Sequence, residues 1–203
     1  YGGFSSSESD VLKVKHNVAT QMTMVTNASG GKASAIFTTK PKVRLLDRYG
    51  NWVSGTPAVS IQPVVFDESG LTSPSVFNAQ GGEQTVNGEA EFSIGISGTT
   101  ATTYRLEFIA TTDQGVPITS ASQSGITIGH GAASRLHILR NPASDDGSGN
   151  LTKIGSALNV QPVIEIQDSD HNRVLDFTGV IDAQIATKYR GDRDYLLNHT
   201  VSA

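Results

Sequence analysis

One stretch of this chain is written twice. Residues 41–53 read Pro41-Lys42-Val43-Arg44-Leu45-Leu46-Asp47-Arg48-Tyr49-Gly50-Asn51-Trp52-Val53, and residues 162–174 read Pro162-Val163-Ile164-Glu165-Ile166-Gln167-Asp168-Ser169-Asp170-His171-Asn172-Arg173-Val174. Both follow one pattern: Pro, apolar residues at every second position, Asp, three residues, Asn, any residue, Val. A strand followed by a polar turn, recurring after 121 positions, points to tandem copies of one domain, because solenoid repeats are much shorter.

The region before each copy aligns at a step of 114. Ser9 to His16 falls on Gln123 to His130 without a gap, and Ala19 to Val25 falls on Ala133 to Leu139. The step lengthens to 121 through extra residues around Asp145 to Asn150. The expected organisation is therefore the last strand of a preceding repeat at 1–16, a complete repeat at 17–130 and the first part of a following repeat at 131–203. On this reading the chain is a fragment of a longer one, and its last repeat is half a sandwich with an open apolar face.

Within 17–130 the pattern predicts about seven strands, the rhythm of an antiparallel β-sandwich. They are Gln21 to Val25, a long strand from Ala35 to Leu46, Ala58 to Val65, Gly82 to Val86, Glu89 to Ile96, Tyr104 to Thr111 and Ile118 to Ile128. Asn87-Gly88 between two of them is a hairpin signal, since a type I′ turn needs positive φ at both central residues. Tyr104, Leu106, Phe108 and Ala110 alternate onto one face, the spacing of a half-buried strand. The whole is read as all-β, with tandem Ig-like antiparallel β-sandwich domains strung like beads.

Composition excludes several functions. There is no cysteine, so disulfides, zinc thiolates and thiol catalysis are absent. The net charge of −4 is spread without a basic patch, which argues against nucleic acid as a partner. No apolar run approaches the ~18 residues of a membrane span.

The run Leu136-His137-Ile138, Gly155-Ser156-Ala157, Val160-Gln161-Pro162-Val163-Ile164-Glu165-Ile166-Gln167-Asp168 and Asn172-Arg173-Val174 resembles the tandem bacterial Ig-like repeats of the invasin and intimin type. The first copy departs from it, with Thr39-Lys40-Pro41 where the second has Val160-Gln161-Pro162. The resemblance implies an extracellular rod or fibre of β-sandwich domains without catalysis.

Candidate sites are few. Asp168, Asp170 and Asn172 alternate side-chain oxygens as a calcium loop does, but the Gly and the twelfth-position Glu of such a loop are missing. The first copy has Tyr49 where the second has Asp170. A plain turn, in which Asp and Asn accept local N–H bonds, is the favoured reading over a calcium site, and no other cofactor is expected. Arg190-Gly191-Asp192 is an integrin-type tripeptide and a candidate adhesion site. Asn27, Asn150 and Asn198 head Asn-x-Ser/Thr sequons, candidates for glycosylation. His16, His130, His137, His171 and His199 show no metal spacing, and His16 and His130 fall at equivalent places between repeats. Trp52, opposite Arg173 in the second copy, is expected to be partly exposed. No nucleophile, base and oxyanion set is visible.

The expectation for function is a structural, non-catalytic segment of an extracellular or cell-surface repeat protein that forms a rod, fibre, sheath or appendage. Its partners would be identical or neighbouring repeat chains, with glycans as further candidates. The alternative is an adhesin or carbohydrate-binding module.

Overall fold

The computed structural model describes residues 15–55, 59–70, 73–78, 83–112, 115, 117–143, 155–183 and 199–202. Among them there are only strands, turns and irregular segments, and no helix long and apolar enough to cross a membrane. The fold is all-β, as the composition and alternation require.

Seven strands make one curled sheet. In chain order they are β1 (Gln21–Thr26), β3 (Lys42–Leu46), β4 (Ser60–Asp67), β6 (Glu83–Gln84), β7 (Glu89–Glu91), β9 (Tyr104–Thr111) and β10 (Pro117–Ile126). The spatial order is β6-β4-β9-β10-β1-β3-β7. Short pieces β2 (Gly31–Lys32), β5 (Ser75–Phe77), β8 (Gly95–Ser97) and β11 (Ile128–Gly129) pair as β11 with β2 and β5 with β8. Most ladders are antiparallel. The expectation of a purely antiparallel sheet fails at two places: β1 pairs with β10 in parallel, and β11 with β2 likewise. Strand β10 bulges twice against β9, and it is the strand that joins the two halves of the curl.

The alternation of β9 delivers its apolar side chains inward as predicted. Tyr104, Leu106, Phe108 and Ala110 are buried, together with Phe37, Val43, Leu45, Ile61, Phe92 and Ile118. Phe92 and Phe108 meet with ring centroids 4.7 Å apart, tilted by 45°. The Asn87-Gly88 turn has positive φ at both residues, 51° and 74°. A side chain at Gly88 would press on the Val53 carbonyl oxygen, so glycine is needed there for room as well as for φ.

Two predicted strands are broken. The segment expected to run from Ala35 to Leu46 is regular only from Lys42, because Pro41 has no N–H to give a ladder and Ile36 instead makes an isolated bridge to Gly95. Glu89 to Ile96 divides into β7 and β8, since Phe92 N–H is taken by the Pro41 carbonyl and Phe37 N–H by that of Ile94.

After residue 130 come two further ribbons, β12 (Arg135–Arg140) with β13 (Val163–Gln167), and β14 (Val180–Ala183) with β15 (His199–Ser202). The β12–β13 ladder reproduces the β1–β3 ladder position for position. Met22↔Leu45 becomes Leu136↔Ile166, Met24↔Val43 becomes Ile138↔Ile164, and the same bulge follows, before Thr26↔Lys42 in one and Arg140↔Val163 in the other. The flanking bridges match as well, Ser29↔Thr39 with Ala143↔Val160 and Leu46↔Trp52 with Gln167↔Arg173.

Candidate functional site

The polar turn that closes the repeated stretch is built the same way in both places. Asp47 N–H bonds the Asn51 carbonyl at 2.9 Å, and Asp168 N–H bonds that of Asn172 at 2.9 Å. The Asp47 Oδ1 accepts from Tyr49 N–H and Asn51 N–H, both at 2.9 Å, while its Oδ2 takes Asn51 Nδ2 at 3.1 Å and Asn17 N–H at 3.1 Å. Asp168 Oδ1 accepts from Asp170 N–H and Asn172 N–H, both at 2.9 Å, and its Oδ2 takes Asn172 Nδ2 at 3.0 Å and Gly131 N–H at 2.7 Å. Each carboxylate thus has four N–H donors, and each is buried, Asp47 with 1% and Asp168 with 0% of its surface exposed. The residue before Asn is left-handed in both: Gly50 at φ 81° and His171 at φ 69°.

Electrostatics follow from that saturation. Burial alone would push the Asp168 carboxyl up, but the Gly131 N–H, then the Asn172 side chain and the N–H groups of Asn172 and Asp170, hold it below the usual carboxylate range. Asp47 obeys the same balance: burial pushes up, the donors from Asn17, Asn51 and Tyr49 outweigh it, and the carboxyl is held at about 2.

The two turns differ in what lies outside them. The second is seated against the end of the first region. Asn172 Nδ2 donates to the Gly98 carbonyl at 2.9 Å, Thr100 N–H donates to Asn172 Oδ1 at 2.8 Å, and Ser34 Oγ donates to Asp170 Oδ2 at 2.6 Å. Ser34 also shares a hydroxyl contact with Ser97 at 2.7 Å. Gly131 lies so close that a Cβ there would come within 2.5 Å of the Ala33 carbonyl oxygen. Beside this joint runs an open cleft of about 490 Å³, lined among others by Lys32, His130, Asp176 and Phe177, with His130 Nε2 3.4 Å from Asp176. Among the described residues the first turn has no such seat. Asn51 is exposed, and so are Tyr49 at 67% and Trp52 at 46%.

The candidates named from sequence are therefore distributed as follows. Asp168, Asp170 and Asn172 come together, but as a hydrogen-bonded turn and an interlocking contact. The Asp168 oxygens face four N–H groups, and those of Asp170 and Asn172 face Ser34 and Thr100. Asn27 is exposed just past β1. Asn150, Asn198 and Arg190-Gly191-Asp192 lie outside the described residues. Trp52 donates its indole N–H to the Asn87 carbonyl at 3.1 Å, with the Arg44 guanidinium 4.5 Å over its ring. His16 and His130 each place Nδ1 3.0 Å from the carbonyl oxygen of the next residue, in keeping with their equivalent positions.

Sequence reasoning missed Ser34, Gly98, Thr100 and Gly131. Three of them act through backbone groups, which leave no trace in side-chain pattern. Gly131 did carry a signal, because it stands where the first copy has Asn17.

Comparison with protein-family models, with curated proteins and with solved structures gave no match.

Proposed function

We propose that this chain is a structural, non-catalytic segment of a long extracellular repeat protein, built of tandem Ig-like β-sandwich units that form a rod, fibre, sheath or surface appendage. The observation that carries the reading is the recurrence of one strand ladder, bulge and turn in two consecutive regions. Register of that kind is specified by side-chain pattern, so its repetition is what duplicated units would leave behind. A second support is the joint: Asp170 and Asn172 lock the end of one unit to the start of the next through three hydrogen bonds, whereas a flexible linker would leave those groups in water.

Such units would act by holding distance and direction, with loops and sheet edges making the contacts to neighbouring chains. Electron microscopy of the purified chain tests this. Ordered end-to-end or lateral assemblies at rising concentration support it; a discrete monomer that saturates with one cell-surface glycan would sink it and favour an adhesin. The adhesin reading draws on the exposed Trp52 beside Arg44, a surface on which a sugar ring could stack.

A further inference from the structure

We propose that the Asp47–Asn51 turn is a second docking key of the same design as Asp168–Asn172, and that positions 17 and 49 decide which unit end it accepts. This rests on the reading of the chain as tandem units.

Two observations carry it. Internally the turns are the same object, with the same four donors on the same carboxylate. Externally, Asn172 spends one side-chain N–H on the Gly98 carbonyl and its Oδ1 on Thr100 N–H, while Asn51 makes only the inward bond to Asp47 among the described residues. Among the described residues, the side-chain groups that Asn172 uses for docking are thus unused on the exposed Asn51. Their natural complement is a backbone carbonyl and N–H at the Gly98 and Thr100 spacing, presented by the end of another unit.

The same comparison says how that end must differ from the one in this chain. Gly131 fits because nothing stands between it and the Ala33 carbonyl, and a side chain there would come within 2.5 Å of it. The counterpart is Asn17, whose Cβ would strike an identical surface, so the accepted end must stand further back. At the third contact the carboxylate of Asp170 is replaced by the phenol of Tyr49, which is 67% exposed. Tyr49 brings a broad ring, with the Arg48 guanidinium 4.5 Å over it, where Asp170 brings a small anion, so the accepted end must leave room for that pair at the place of Ser34.

The test inserts a copy of residues 17–130 between His130 and Gly131, leaving all 203 residues in place. The inserted turn then faces the Ser34, Gly98 and Thr100 end of the first unit. Two inserts are compared, one unchanged and one carrying Asn17→Gly and Tyr49→Asp. Side-chain amide exchange of the inserted Asn51 is read by NMR, with Asn172 as internal standard. The altered insert should slow that exchange by about tenfold, the effect of gaining two hydrogen bonds, while the unchanged insert stays as fast as Asn51 of the parent chain. The proposal is overturned if the altered insert folds and its Asn51 exchanges at the parent rate. It is equally overturned if the unchanged insert docks as well as the altered one. If the insert shows no protected core at its own Leu106 and Phe108, the tandem reading itself fails, and that result is distinct from either of the others.

Discussion

The ribbons β1–β3 and β12–β13 have the same ladder, the same bulge and the same closing turn, yet one is the middle of a core and the other is nearly bare. Met22 is 6% exposed and its counterpart Leu136 is 55% exposed; Leu45 is fully buried and Ile166 only partly so. What separates them is the strand partner. Beside β1 lies β10, which brings β9 and β4 with it; beside β12 no further strand is paired among the described residues. Local pattern is therefore enough to set a two-stranded register, while burial comes only from strands far away in sequence.

That difference can be broken most forcefully at its centre. Leu45→Ala should cost about 2–5 kcal/mol of unfolding free energy, because the site is enclosed and the cavity cannot collapse. Ile166→Ala in the equivalent place should cost well under half as much. Urea unfolding followed by tryptophan fluorescence at Trp52 measures the first, and hydrogen exchange at β13 the second. Equal costs would mean that the second ribbon is as well covered as the first.

The turns are the next place to probe. Asp168→Ala should cost about 1–3 kcal/mol in the opening of the joint, because it strands four donors. Hydrogen exchange at Gly131 and Thr100 should rise together, whereas Asp47→Ala should raise exchange at Asn17 and Asn51 and leave Thr100 alone. A rise at Thr100 in both would show the turns to be coupled.

Acid offers a gentler version of the same break. Asp47 has its folded value lowered from an ordinary 3.8 to about 2, and Asp168 is lowered as well. A depressed carboxylate stabilises the fold above its unfolded value and loses that contribution as pH falls through the folded one. Melting temperature should therefore hold steady down to about pH 4 and fall between there and about pH 2. Asp168→Asn should flatten part of that decline, and an unchanged profile would mean that its four N–H bonds are not what lowers it.

The smallest effect is expected at Gly50. Its φ of 81° lies in open space, so Gly50→Ala should cost only about 1–2 kcal/mol, the strain of the left-handed region without a clash. His171 already accepts that conformation at the equivalent place.

These contrasts also show how far the residues alone could lead. The alternation of Tyr104 to Ala110 and the Asn87-Gly88 turn were readable because each depends on neighbours within a few positions. So was the Asp turn, three of whose four donors lie within the turn itself. The division of the Ala35 to Leu46 strand at Pro41 was readable in principle, since proline removes a ladder donor. The parallel seam between β1 and β10 was not, because its partners lie almost a hundred positions apart and pair through backbone atoms. The joint was half legible: Asp170 and Asn172 stood out, and the Gly98 carbonyl and Thr100 N–H that receive Asn172 could not.

The parallel seam carries a mechanical consequence. In the seven-stranded sheet β1 is the opening long strand and β10 the closing one, and Thr119 N–H bonds the Thr20 carbonyl at 3.1 Å where they meet. Strands that run the same way leave the sheet at opposite ends. A pull applied before Gln21 and after Ile126 would therefore draw them past each other lengthwise. The Gln21↔Thr119 pairing would then be loaded in shear, along the strands, and would not be peeled open from one side. A seam wired this way resists tension along the line joining its two ends better than force applied across it.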